Sequence, residues 1–304
     1  MAGEKKCLII IDANSVIHRA YHALPPLTTT KGELVNAVYG FLLVFLKAIK
    51  EFQPDHIAAC FDFPAPTFRS KIFKEYKAKR PPAPEELYRQ IPKVKEILKA
   101  FNVPIFEKEG FEADDLIGTI SKLAPKKQIF PGVEIIILSG DSDTLQLVGL
   151  NTRVYLLKKG VKDTVLYNQD LVKEKYQGLT AEKIVDFKAL RGDPSDNIPG
   201  APGVGEKTAI ELIKNFGTVE NLYQELEQKS EKTKELKPKL KEILLQSKEQ
   251  VFFSKELSKI KKDVPIDFQL RKKSWREYNK GEVVQMLEDL EFYSLIGRLP
   301  EAKN

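Results

Sequence analysis

Cysteine is almost missing from this 304-residue chain and histidine nearly so, with two of the first and three of the second. Cys7 and Cys60 stand in apolar runs that read as buried strands, which makes them core thiols rather than half of a disulfide or a metal site. His18 and His22 share one early helix without a thiol partner and His56 stands alone, so the spacing of a zinc site is absent. Any metal must therefore be held by oxygen. Also missing is a run approaching the ~20 apolar residues of a membrane span; the longest, such as residues 133–138, have the length of a strand. The opening MAGEKKCLIIID enters such a run without a signal peptide's cleavage region, so a cytoplasmic protein with no membrane association is expected.

What is present is enough apolar material for a large core, 42% of residues, and a modest excess of base over acid: 49 lysines and arginines against 43 aspartates and glutamates. The net charge of +6 hints at a polyanionic partner. Short β-rich runs at 7–11, 57–61, 103–106, 133–138 and 153–157 alternate with helical patterns at 34–52, 84–101 and 113–124. That alternation predicts an α/β domain, a doubly wound and mostly parallel sheet, over residues 1–168. From residue 169 to 304 helical patterns take over, at 170–176, 180–190, 205–215, 218–226, 235–246 and 248–260. Residues 228–262 hold eleven lysines against five glutamates, the pattern of a solvated helical face.

The acids fall in register with the strands. Asp12 ends the first, Asp62 follows the second, and Asp141 and Asp143 follow the fourth. Glu112, Asp114 and Asp115 open the helix after the third, and Asp193 and Asp196 lie on a later loop able to fold back. Any one of these could be a turn or helix-cap residue. Together they predict nine carboxylates at the C-terminal edge of a parallel sheet, where ligands of such sheets bind. Acids so crowded repel one another unless cations intervene, and all-oxygen clusters suit hard divalent ions. Two ions, magnesium or manganese, account for so many acids. A structural calcium site would draw its ligands from one contiguous loop, and these are dispersed.

Residues 69–80 carry Arg69, Lys71, Lys74, Lys77, Lys79 and Arg80 against Glu75 alone, with Phe73 and Tyr76 between them. This suits a strand-binding surface where phosphates pair and bases stack, though a solvated basic helix would look the same. Residues 198–213 set Gly203 and Gly205 before Lys207 and a helix start, a place for backbone amides to meet a phosphate, or a plain turn between packed helices. The spacing is not that of a P-loop.

The series LIIIDANSVIHRAYHALPPLT, FDFPAPTFRSKIFKEYKAKRPP, GFEADDLIGTI, LSGDSDTLQLV and LRGDPSDNIPGAPGVGEKTA closely resembles the 5′ nuclease domain of bacterial DNA polymerase I and the related flap endonucleases, over about residues 7–300. The resemblance implies a PIN-like 5′ nuclease fold, with a helical arch over about 69–100 and a helix-hairpin-helix over about 184–216. It implies a two-metal nuclease cutting 5′ flaps and 5′ ends of DNA in replication primer removal and repair. Asp12, Asp62, Glu112, Asp114 and Asp115 would surround the catalytic ion, and Asp141, Asp143, Asp193 and Asp196 the second. Lys77 and Arg80 would steer the scissile phosphate. Arg19, Arg69 and Tyr76 would meet DNA near the site, and Gly203, Gly205, Lys207 and Thr208 would grip duplex phosphates beside a monovalent cation such as K+. Partners implied are flapped, nicked or branched DNA and a DNA polymerase, for a monomeric protein near the nucleoid. Ala13 replaces a glycine common after the first aspartate, and Ser142 stands where polymerase relatives usually carry a base; neither removes a ligand.

Two other readings compete. An aspartyl-nucleophile phosphatase needs a second aspartate two positions after Asp12, where Asn14 stands. A non-catalytic duplex-binding module would bind without cutting and would tolerate missing acids; none is missing.

Overall fold

The computed structural model describes residues 6–126, 132–269 and 274–303, so the first five residues of the opening stretch lie outside it. Six strands form one sheet: β1 (Cys7–Asp12), β2 (His56–Cys60), β3 (Ile105–Phe106), β4 (Glu134–Ser139), β5 (Thr152–Leu157) and β6 (Thr164–Tyr167), in the order β3-β2-β1-β4-β5-β6. The first five run parallel and β6 pairs antiparallel with β5. All five expected strands are present, β3 cut to two residues behind Pro104, whose ring carries no amide hydrogen for a ladder.

Alternation within the strands builds two faces. Ile9 and Ile11 of β1 join Val16 and Ile17 of α1 (Ala13–Ala23) and Phe41 and Phe45 of α2 (Asn36–Phe52). Beyond the five-residue α3 (Phe68–Ile72), α4 (Glu85–Ala100) adds Ile97 and Leu98 to that layer. Leu8 and Ile10 point the other way, onto Leu116, Ile117 and Ile120 of α5 (Ala113–Leu123). Both faces are therefore covered, as doubly wound sheets require.

The second half is helical: α6 (Gln169–Lys175), α7 (Ile184–Arg191), α8 (Glu206–Phe216), α9 (Val219–Glu227), α10 (Glu231–Lys234), α11 (Pro238–Gln246) and α12 (Lys248–Ser258). Phe187, Ile213, Leu222, Tyr223 and Val251 give it a core of its own. After α12 the chain returns to the sheet. Ile260, Val264 and Phe268 join the α5 layer, and Trp275, with Val283 and Leu287 of α13 (Lys280–Asp289) and Leu295 of α14 (Tyr293–Ile296), joins the opposite one. The helical half expected from residue 169 thus sends its last segment back to the α/β core. Among the described residues no helix is long and apolar enough to cross a membrane.

The strand order sets the position of the site. The chain winds from β1 outward to β2 and β3, then crosses back to β4 on the other side of β1. Crossovers leave in opposite directions there and open a crevice beyond the C-terminal ends of β1 and β4.

Candidate active site

A cleft of about 360 Å³ occupies that crevice, lined by Asp12, Asp62, Glu112, Asp114 and Asp141 together with Lys77, Arg80, Arg19, His18 and His22. Five of the nine expected acids, from four separate segments, thus share one cavity. Among the described residues Asp12, Asp62, Asp114 and Asp141 make no ion pair.

Asp12 is both the last residue of β1 and the cap of α1. It is almost fully buried; Ser139 Oγ donates to its Oδ2 at 2.6 Å and the Ser15 amide to its Oδ1 at 3.3 Å. The parallel register places Leu138 opposite Ile11, which brings Ser139 beside Asp12. Burial, reinforced by Asp141 and Asp62, outweighs those hydrogen bonds and lifts the Asp12 carboxyl to about 6. Burial also raises Asp62, although the Ala113 amide at the α5 N-terminus donates to it at 2.7 Å. Asp114 is pushed well above the carboxylate range by burial and then by Asp12, Asp141 and Asp143. Among the described residues no three acidic, histidine or cysteine groups stand close enough to clasp an ion in this conformation. Neighbouring cations draw Glu112 and Asp196 into ion pairs.

Those cations belong to the basic segment, the first part of the arch expected over about 69–100, whose helices are α3 and α4 with turns between them. After α3 it runs through turns, with Lys77 at φ +57°, and Pro81, Pro82 and Pro84 delay helix until Glu85. The segment lies across the cleft. Lys77 donates to Glu112 at 2.7 Å and its amide to the Asp196 carbonyl at 2.9 Å, while Arg80 binds the Asp196 carboxylate. Tyr76, expected to stack on bases, is buried instead, its hydroxyl donating to Glu112 at 3.0 Å and Asp196 at 3.1 Å.

Arg69 and Asp115 also face inward. They form a forked pair at 2.7 and 2.8 Å with both side chains out of solvent; Arg69 donates further to Glu112 and to the carbonyls of Leu257 and Lys259. Asp115 additionally accepts the amides of Glu112 and Lys261. Every donor and acceptor is engaged, so this pair braces the back of Glu112 rather than meeting DNA or an ion in the cleft. Arg19 stays at the cleft wall, its guanidinium on the carbonyls of Gly140 and Lys158.

The remaining acids form a second group. Lys188, buried on α7 and not singled out in the sequence, binds Asp143 and, at 2.7 Å, Asp193. Burial would raise Asp193, but Lys188 and the Ser195 hydroxyl and amide hold it at about 2. Asp143 ends at about 6, where burial exceeds the pull of Lys188. Asp193 and Asp196 reach this position because their loop is pinched shut at its base: a Cβ on Gly200 would lie 2.2 Å from the Gly192 amide nitrogen. Beyond the loop, α7 and α8 form the expected hairpin. Gly203 (φ +73°) and Gly205, cap of α8, are exposed with open space around them, and Lys207 and Thr208 fill the first turn of α8.

Two family models match the chain: "5'-3' exonuclease, N-terminal resolvase-like domain" over residues 7–177 and "5'-3' exonuclease, C-terminal SAM fold" over residues 179–281. DNA polymerase I of Bacillus subtilis is 44% identical across 98% of this chain, and that of Caldicellulosiruptor bescii 42% across 96%. The chain spans about a third of the length of these relatives, 33% in each case. Among solved structures, the T5 D15 protein co-crystallised with metal ions superposes with a TM-score of 0.67 at 19% identity, covering 94% of this chain and 99% of that one. The catalytic core of Rad2 in complex with DNA substrate gives 0.58 at 15% identity, covering 97% and 93%. At such identities the likeness is one of fold.

Proposed function

The chain belongs to the 5′-3′ exonuclease family, and on that premise we propose that it is a structure-specific 5′ nuclease, hydrolysing DNA phosphodiesters at 5′ flaps and 5′ ends with two divalent ions. The observation that carries this reading is the crowding of Asp12, Asp62, Asp114 and Asp141 around one cleft with no cation paired to any of them among the described residues. Such a donor set, all oxygen and short of positive charge, fits magnesium or manganese. The T5 D15 flap endonuclease, whose fold this chain shares, has been solved in complex with DNA and metal ions, which lends the same support. Asp12, Asp62, Glu112 and Asp114 would hold one ion, Asp141, Asp143, Asp193 and Asp196 the other. Bound there, divalent ions supply a hydroxide nucleophile at neutral pH and stabilise the charge of in-line displacement.

The rest is the work of the chain's own residues. Lys77 and Arg80 exchange Glu112 and Asp196 for the oxygens of an arriving phosphate, delivering positive charge where the transition state gathers negative charge. Tyr76, Arg69 and Asp115 hold Glu112 in place meanwhile. Gly203 and Gly205 leave the amides at the start of α8 bare for a duplex phosphate, aided by Lys207 and Thr208 and by a K+ ion at the hairpin. A monomer working in the cytoplasm beside a DNA polymerase, in primer removal and repair, completes the reading.

The test is an end-labelled duplex with a 5′ flap, incubated with and without Mg2+. Magnesium-dependent products at the junction or in single-nucleotide steps are expected. Tight duplex binding with no cleavage in Mg2+ or Mn2+ would sink the nuclease reading and leave a binding module.

A further inference from the structure

A second and larger cavity, about 730 Å³, opens at the opposite edge of the sheet. α2 ends at Phe52 just before β2 begins at His56, so its C-terminus lies where the strands start, about 20 Å from the acids for a six-residue strand. Leu43, Leu46, Ile49, Trp275 and Leu299 make the floor. Lys47, Lys50, Arg276, Arg298 and Lys303 make the rim. Among the described residues Glu301 is the one acid on the lining, and Lys280 already engages it at 3.6 Å. Among the described residues Lys47 and Arg276 give side-chain hydrogen bonds only to uncharged oxygens, of Lys162, Thr164, Gln53 and Pro54. Lys50, Arg298 and Lys303 have no ion-pair partner among the described residues.

We propose that this groove is a docking site for a partner protein, and that the docking element is an acidic amphipathic helix whose apolar side chains enter the floor while its carboxylates meet the rim. Five cations against one occupied acid call for an anionic occupant. The floor is mostly aliphatic, Leu43, Leu46, Ile49 and Leu299, with Trp275 buried, so it offers bases little to stack on and suits leucine-like side chains, which favours polypeptide over nucleic acid. Position agrees, since Lys50 and Gln53 at the C-terminal end of α2 lie on the side where β2 starts, away from the acids at the strand ends. A second copy of this chain, itself at +6, is a poor electrostatic match.

Trp275 is the single tryptophan of the chain, so its emission reports this groove alone. The probe is a fluorescein-labelled helical peptide with leucines on one face and glutamates on the other, beside a scrambled peptide of the same composition and a single-stranded oligonucleotide. Expected are micromolar binding of the ordered peptide with a change in Trp275 emission, weakening with salt, and a loss of about tenfold or more in Lys50→Glu and Arg298→Glu, whose rim charges attract the partner. Flap cleavage by both variants stays at the parent level, which separates this proposal from the nuclease reading. Equal binding of the scrambled peptide, or no change in Trp275 emission, overturns the proposal. So does an oligonucleotide that shifts Trp275 and competes with the peptide, or a dimer of the parent chain that Arg298→Glu dissolves.

Discussion

Asp12 illustrates how one side chain trades stability for chemistry. Its folded carboxyl titrates at about 6 against 3.8 for an unperturbed one, so the folded state holds the proton more tightly. The stability this contributes is fully present below pH 3.8 and is lost as pH rises through 6, on the order of 2–3 kcal/mol. Asp143 adds in the same direction. Protein freed of metal by chelation should therefore melt higher near pH 5 than near pH 7.5, and Asp12→Asn should flatten that difference while abolishing cleavage; thermal melts across pH, with an activity assay, check both. Added Mg2+ should raise the melting temperature of the parent more at pH 8 than at pH 5, because protonated acids bind it poorly. Arg69 carries the opposite weight. Arg69→Ala strands Asp115 without its partner and should cost about 3–5 kcal/mol, and Arg69→Lys should restore only part because the forked geometry is lost; urea unfolding gives the numbers.

Among the elements, the hairpin separates two uses of glycine. Gly200→Ala drives a methyl into the backbone of Gly192, so it should lower the melting temperature strongly and disorder Asp193 and Asp196. Gly205→Ala meets open space at φ −85°, so stability should hold while duplex affinity falls; melting and a binding isotherm on the same pair of variants decide. The contrast also marks what could be read in advance. Strands announced themselves through apolar alternation, and Asp12, Asp62 and Asp141 through their place at strand ends. β6 escaped notice because TVLY is short and half-buried, its position set by the hairpin with β5. Lys188 and the inward turn of Arg69 were illegible because Asp143 and Asp115, which draw them in, lie 45 and 46 residues away; Asp193, five positions from Lys188, reads as a loop acid. Within the arch expected over about 69–100, the helix beginning near 84 was legible because Pro81, Pro82 and Pro84 hold helix off before it; the turns that lay Lys77 and Arg80 across the cleft depend on distant Glu112 and Asp196.

Across the whole fold, residues 275–296 close the α/β body. Leu287 and Leu295, deep in the core shared with α1 and α2, make α13 and α14 part of the α/β body despite the seven helices that intervene in the chain. Leu295→Ala should destabilise by about 2–5 kcal/mol, the usual range for emptying a buried leucine site, and calorimetry should find the α/β and helical parts melting in one transition.

The guanidinium of Arg69 reaches the Leu257 carbonyl across 188 positions of chain. The brace behind Glu112 and Asp115 is thus complete only once α12 has formed and docked. A polypeptide emerging from the ribosome would carry the acids of the sheet edge long before that clasp exists. On the nuclease reading, scission should then begin only once synthesis has passed residue 257.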